Sequence, residues 1–473
     1  MFFTPVALAE NIFVSVFSYI SFVYRFLGFP LNFLRSVFRV HSSRPWICGL
    51  FFSFILPIQN VLPQTIPGSA LPRGGSVQHG SATIEVEGAN MVVRQDSTHS
   101  VIDWRSFDLG STASIHFSQP GSSSATLNRV AGESPSSILG RITAPGQVFI
   151  SNGNGLFFGR TASIDVGSLV ATTMDLSIED FMAGQLRFLQ GAKHSSQVIN
   201  EGELRVRLEG FIALLAPEVR NDGLVFAQKG TVAFASGSLI ELQLDPNQKL
   251  TGIRVESSEW EALVENSHVI EAEEGLVILS AQALGSLHGG LIRNTGNVKA
   301  TGIKQVGGRI LFTSGENGSI EQGGRLNASS TQGKGGLITL EADKINLQSN
   351  SAINVTGSEG GGEVLVGGDW QGGSNDEMRV LLAPNALNQA TEVWMDGNSK
   401  IDASATRKGD GGTVVLWSDI ENPNSLTTVA GKILSNGGAY EGDGGMVETS
   451  GHRLEINSAG VSTLAHLGNT GTW

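Results

Sequence analysis

"GGLITLEADKINLQSNSAINVTG", from Gly335 to Gly357, holds three short runs of Ile, Leu and Val in 23 residues. Each run closes on Asp, Asn, Ser or Gly. Along the chain the runs are Val/Ile/Leu-rich and four to six residues long, too short for globular helices, and with Asn/Gly/Ser/Asp punctuation they are the pattern of strand and turn. A paired glycine opens the stretch. The same phrase recurs along the chain: "GLVFAQKGTVAFASGSLIEL" at Gly223, "GLVILSAQALGSLHGGLIRNTGNVKATG" at Gly275, "GGRILFTSGENGSIEQGGRLNAS" at Gly307, "GGEVLVGGDW" at Gly361, "GGTVVLWS" at Gly411 and "GGMVETSGHRLEINSAG" at Gly444. Self-similarity at about 25 to 33 residues is the mark of a solenoid. One step of about 50 residues reads as a double step.

The expected fold is therefore all-β: a right-handed parallel β-helix with almost no α-helix. In this fold each rung adds one strand to each of three growing parallel sheets. With ~22 residues per rung, some 400 residues would give roughly 18 rungs, a stack on the order of 85 Å at ~4.8 Å per strand. Glycine and asparagine suit its corners, because Gly takes φ > 0 without strain and Asn enters the left-handed region while bonding nearby backbone. Asn221, Asn294, Asn350 and Asn354 are accordingly read as turn residues and not as ligands. Two segments break the ladder. "LSIEDFMAGQLRFLQ", Leu176 to Gln190, begins with Ser177 and acidic Glu179 and Asp180, a helix-start signature, and is expected to be a short helix or loop packed on the rod. Ser374 to Ser404 reads as an insertion near 374–390 followed by a complete strand rung.

Composition sets the outer limits. The chain has 473 residues, 61 of them Gly, with 40% apolar and 16% charged residues and a formal charge of −13. The acidic balance argues against a nucleic-acid partner. Residues 1–70 differ from the rest: Arg25, Arg35, Arg39 and Arg44 precede "PWICGLFFSFILPI" (Pro45 to Ile58), and small residues follow at Gly68 and Ala70. This is the layout of a long cleaved export signal. The competing reading is a membrane anchor, since Ile12 to Leu34 is also apolar, but Arg25 and Pro30 interrupt it. The single cysteine, Cys48, lies in this segment, so the mature chain would hold neither disulfides nor cysteine-ligated metal.

Reactive constellations are not apparent. There is no G-x-S-x-G, H-E-x-x-H or P-loop, and the histidines (His41, His79, His99, His116, His194, His268, His288, His452 and His466) lack ligand spacing. "GGAYEGDGG", Gly437 to Gly445, is one imperfect copy of a calcium-type Gly/Asp repeat. Asp165, Asp175 and Asp180 are the carboxylates that a β-helical polysaccharide-cleaving enzyme would need together, and nothing in their spacing joins them. The expectation is no enzyme and no cofactor.

From Ala70 to Gly184 the residues carry a resemblance. The Leu71-Pro72-x-Gly74-Gly75 opening is followed in order by "IDWRSFDLG" (Ile102 on), "LNRVAG" (Leu127 on), "ILGRI" (Ile138 on), "GQVFI" (Gly146 on), "VGSLVATTMDL" (Val166 on) and "EDFMAG" (Glu179 on). This resembles the secretion domain of filamentous haemagglutinin-type exoproteins, the passengers of two-partner secretion systems. "GDGGTVVLWS" and "GDGGMVETSG" are similar to the shaft of the same proteins. The resemblance implies a signal peptide over 1–70, a two-partner secretion domain over 71–195 and a β-helical shaft over 196–473. It further implies export through an outer-membrane transporter, a secreted or cell-surface location reached by way of the periplasm, and an adhesin-like role with a host-cell glycan or protein receptor. The alternatives are the shaft of a toxin-delivery exoprotein and a β-helical carbohydrate-active enzyme. The family's Asn-Pro-Asn-Gly-Ile motif falls on Asn152, Gly153, Asn154, Gly155 and Leu156, with Gly153 in place of proline. The two Asn-Gly steps are expected to form a tight rung corner, with Leu156 and Phe158 on one face of the next strand and Phe157 on the other. "STLAHLGNTGTW" ends in ladder-like sequence, so the expectation is either a longer native protein or end-to-end self-association.

Overall fold

A computed structural model describes residues 66–191, 195–284, 289–302, 307–373 and 387–473. The export-signal reading therefore falls outside the described residues over 1–65, and the insertion near 374–390 falls outside them over 374–386. The stretch from Gly335 to Gly357 folds as read. Leu337–Glu341, Lys344–Leu347 and Ala352–Asn354 are strands of three different sheets. Ile338, Leu340, Ile345, Leu347, Ile353 and Val355 point into one core.

The sheets have 13, 11 and 14 strands, and successive rungs add neighbours in chain order. The pairing is parallel and like stacks on like: Ile310, Ile338, Val364, Val414 and Val447 form one column, and Leu326, Ile353, Ile401, Ile433 and Val461 another. This is a parallel β-helix. At the start of the stack, Ser76–His79 pairs antiparallel with His99–Trp104 and the hairpin Ala82–Glu87/Asn90–Gln95 lies across the first rung. The rung number departs from expectation. The 13-strand sheet contains twelve steps, about 55–60 Å at ~4.8 Å each, not 18 rungs. The reason is twofold: rungs such as Leu276 to Arg309 and Thr413 to Met446 take 33 residues each and not ~22, and the excursions after Thr172 and Ser236 consume residues without adding height.

These two excursions explain a second feature. Strands of the 13-strand sheet such as Gln147–Ser151, Ser168–Thr172, Phe211–Leu215 and Thr231–Ser236 are buried on both faces, as near-continuous apolar runs require. Their outer face is covered by a separate four-stranded antiparallel sheet built from Asp175–Leu176, Arg187–Leu189, Leu239–Leu244 and Leu250–Glu256. The helix Ile178–Met182 belongs to the same cover, with the Ser177 hydroxyl accepting the Asp180 N–H. Phe181 is the helix's buried residue and meets Phe149 edge-on at 5.3 Å. The expected helix is present. Leu239–Leu244, read as part of the ladder, instead leaves it to cover the sheet.

Glycine's role in the ladder is also not the expected one. Gly146, Gly167, Gly210, Gly230, Gly275, Gly308, Gly336, Gly362, Gly412, Gly445 and Gly471 stack in one column, and none has φ in the left-handed region. A Cβ on Gly336 would lie 2.0 Å from the Gly308 carbonyl oxygen, and one on Gly412 would lie 1.9 Å from that of Gly362. The column is needed for close backbone approach, not for turning. Of the four asparagines read as turn residues, Asn350 has φ 68° and Asn354 accepts the Thr356 N–H in a side-chain-closed turn. Asn221 and Asn294 differ. They end strands and stand in a buried ladder of Asn200, Asn221, Asn266, Asn294 and Gln322, whose side-chain amides bond head to tail at 2.7–2.9 Å.

Candidate functional site

The five motif residues form the corner between Gln147–Ser151 of the first sheet and Leu156–Phe158 of the second. A β-turn closes it, the Gly155 N–H donating to the Asn152 carbonyl at 3.0 Å. Gly155 has φ 127°, a conformation open to glycine. Leu156 and Phe158 are buried and Phe157 is half-buried on the opposite face, as the alternation requires.

Asn152 is 0% exposed. Its Nδ2 donates to the Ser134 carbonyl at 3.0 Å and to Ser136 Oγ at 2.9 Å. Its Oδ1 accepts the Asn154 backbone N–H and Asn154 Nδ2, both at 2.9 Å. Its own N–H donates to the Thr172 carbonyl at 3.0 Å. Asn154 Nδ2 also reaches the Gly132 carbonyl at 2.7 Å. The corner therefore ties the loop Gly132–Ser136 of the rung below to Thr172 of the rung above. These partners were not identifiable in the sequence. "LNRVAG" and "VGSLVATTMDL" were visible as matched segments, but the inter-rung register that brings Gly132 and Thr172 to Asn152 is a property of the stack. Gly153, second in the turn, makes no backbone donor bond and has open space around its Cα: the nearest atom to a Cβ there is the Thr173 carbonyl oxygen at 3.9 Å.

The carboxylates considered for catalysis are dispersed. Asp165 lies on the third sheet, Asp175 on the covering sheet, and Asp180 on the helix, where it pairs with Arg187 at 3.0 Å. In the two "GDGG" segments the aspartates bond successive rungs. Asp410 Oδ1 accepts the Asp443 N–H at 2.8 Å, and Asp443 Oδ1 accepts the Asn469 N–H at 2.7 Å. Among the described residues no three His, Cys, Asp or Glu side chains converge as metal ligands. Two carboxyls that the sequence did not single out are perturbed. Glu363, on the outer face of the first sheet, is pushed up to about 7 by burial and by the negative Asp369, against the opposing pull of Lys334. Its Oε2 has no hydrogen-bond partner. Glu341 is also raised by burial, although Asn388 donates to its Oε1 through both backbone and side chain.

The TPS secretion domain pattern matches residues 69–328, more than half of the chain and the whole region around the corner. The chain belongs to the TPS secretion domain family. Among solved structures, the TPS domain here is similar to the HMW1 secretion domain from Haemophilus influenzae, with a TM-score of 0.72, 29% identity, and coverage of 83% of this chain and 99% of that one. Among curated proteins, two Haemophilus influenzae heme/hemopexin-binding proteins are each 27% identical to it, over 414 and 439 residues. The chain spans less than half the length of those relatives, 44% and 45%, while 85% of its own length is matched.

Proposed function

We propose that this chain is the passenger of a two-partner secretion system, carried to the cell surface or medium by a dedicated outer-membrane transporter that reads its N-terminal region. The observation that carries the reading is the TPS secretion domain match over residues 69–328, laid on a β-helix that keeps the corner at Asn152–Leu156. The N-terminal segment would direct the chain across the inner membrane, and the rungs would then build one upon another outside, each exposing a template for the next. Within this reading the domain from 71 to 195 is the transporter's address and 196–473 is shaft. The motif acts through the fold, because the Asn152 side chain is enclosed by its own chain and Gly153 and Asn154 keep only partial exposure.

Once outside, the proposed role is adhesin-like binding to a host-cell glycan or protein, without catalysis, cofactor or nucleic acid. A second reading, favoured by the heme/hemopexin-binding relatives, is capture of a haem-carrying protein. Displaying the chain with its transporter on a non-adherent bacterium separates the two. Increased attachment to host cells supports adhesion. Retention of haem-loaded hemopexin without increased attachment overturns adhesion in favour of the second reading.

A further inference from the structure

Four Asn-Gly steps occur in the sequence: Asn152-Gly153, Asn154-Gly155, Asn317-Gly318 and Asn436-Gly437. The pair has a reactivity of its own. The glycine backbone nitrogen, uncrowded by a side chain, attacks Cγ of the preceding asparagine, forms a C–N bond and loses its proton, and the Cγ–Nδ2 bond breaks to release ammonia. Water then opens the five-membered imide at either carbonyl, leaving aspartate or its backbone-lengthened isomer, isoaspartate. No electrons are exchanged, and water is the only co-reactant. The step requires a carboxamide free to swing towards its own backbone and a chain free to bend.

We infer that Asn317 is the site at which the folded protein deamidates, and that the fold shields the two motif asparagines from the same chemistry. The Asn152 carboxamide is fully buried and fixed through both its nitrogen and its oxygen. The Asn154 amide is held by Gly132 and Asn152. Asn436 Oδ1 accepts Ser462 Oγ at 2.6 Å and the Leu464 N–H at 3.0 Å. Asn317 is exposed, has φ 60° at the tip of the Gly315–Gly318 turn, and its carboxamide has no hydrogen-bond partner among the described residues. A single turn bond, from the Gly318 N–H to the Gly315 carbonyl at 2.8 Å, stands between the nitrogen and attack.

The product would matter locally. A Cβ on Gly289 of the preceding rung would lie 2.0 Å from the Asn317 carbonyl oxygen, so a lengthened backbone at Asn317 has little room. In the unfolded chain the shielding vanishes at all four steps. Proline at position 153 would have no N–H with which to attack, so Gly153 adds a reactive step inside the motif itself, and slow folding exposes it.

The test is to incubate the purified full chain at mildly alkaline pH, folded and in denaturant, and follow each Asn-Gly peptide by mass spectrometry. Conversion in the folded protein is expected several-fold faster at Asn317 than at Asn152, Asn154 or Asn436, with all four comparable in denaturant. Asn317→Gln, which would have to close a larger ring, is expected to remove the native signal with only a small drop in melting temperature, from the left-handed backbone at position 317. Equal conversion at the four sites in the folded chain, or faster conversion at Asn152 or Asn154 than at Asn317, overturns the inference.

Discussion

At the level of single residues, three positions test what holds the stack. In the folded protein Gly153 sits second in its turn, with its N–H unbonded and open space at its Cβ position. Proline is favoured there because its φ suits the turn and its unfolded state has fewer conformations to lose. Gly153→Pro is expected to raise stability by about 0.5–1 kcal/mol in denaturant titration. Asn152→Ala leaves Ser134, Ser136 and Asn154 without their partner in a buried site, at a cost of roughly 2–3 kcal/mol. Gly336→Ala would push a methyl group into the Gly308 carbonyl and is expected to cost about 3 kcal/mol. Gly121→Ala, with nothing near the new Cβ, is the matched control and should change little. The glycine column also marks a limit on what sequence conveys. Paired glycines are visible as a repeat, but left-handed turning and close approach leave the same letters, and only the stacked register separates them.

Elements show the same division between pattern and register. The strands of the Gly335–Gly357 rung and the short helix after Ser177 were legible because their signals are local: alternation, turn residues and a capping serine. The strand Leu239–Leu244 was not, because its sequence equals a rung strand and its fate depends on an outer sheet face that has to be covered. Phe181→Ala would open a cavity between the helix and Phe149, and about 3–4 kcal/mol of destabilisation is expected from thermal unfolding. On the same sheet's outer face, further along the stack, Glu363 supplies a pH dependence. Its carboxyl is raised from 4.5 to about 7, so the folded state favours the protonated form. That contribution is fully present below about pH 4.5 and is lost as pH rises through 7. Glu363→Gln keeps the shape and removes the charge. The variant should be more stable than the parent at pH 8 by roughly 1–2 kcal/mol, a value discounted for the group's partial exposure, and the two should converge below about pH 4. A parent no less stable than the variant at pH 8 would contradict this assignment.

For the whole molecule, the family membership and the β-helix make one account. In the proposed export, a chain without a cysteine among its described residues would cross the periplasm with no disulfide to lock it, and a quasi-one-dimensional fold would grow from one end as it emerges. The resemblance over Ala70–Gly184 pointed to this role, and the domain match extends through residue 328. The bonding around Asn152 was not legible, because its partners come from the rungs below and above. The corner stitches three rungs together, and in the proposed export route it would tie folding of the first rungs to transfer.

The most direct measurement is the amount of protein in the medium and on the cell surface when the full chain is expressed with and without its outer-membrane transporter, alongside the Asn152→Ala/Asn154→Ala double variant. The account predicts surface or medium protein with the transporter alone present as the added factor, little without it, and reduced transfer of the double variant. Equal export with and without the transporter would contradict the account.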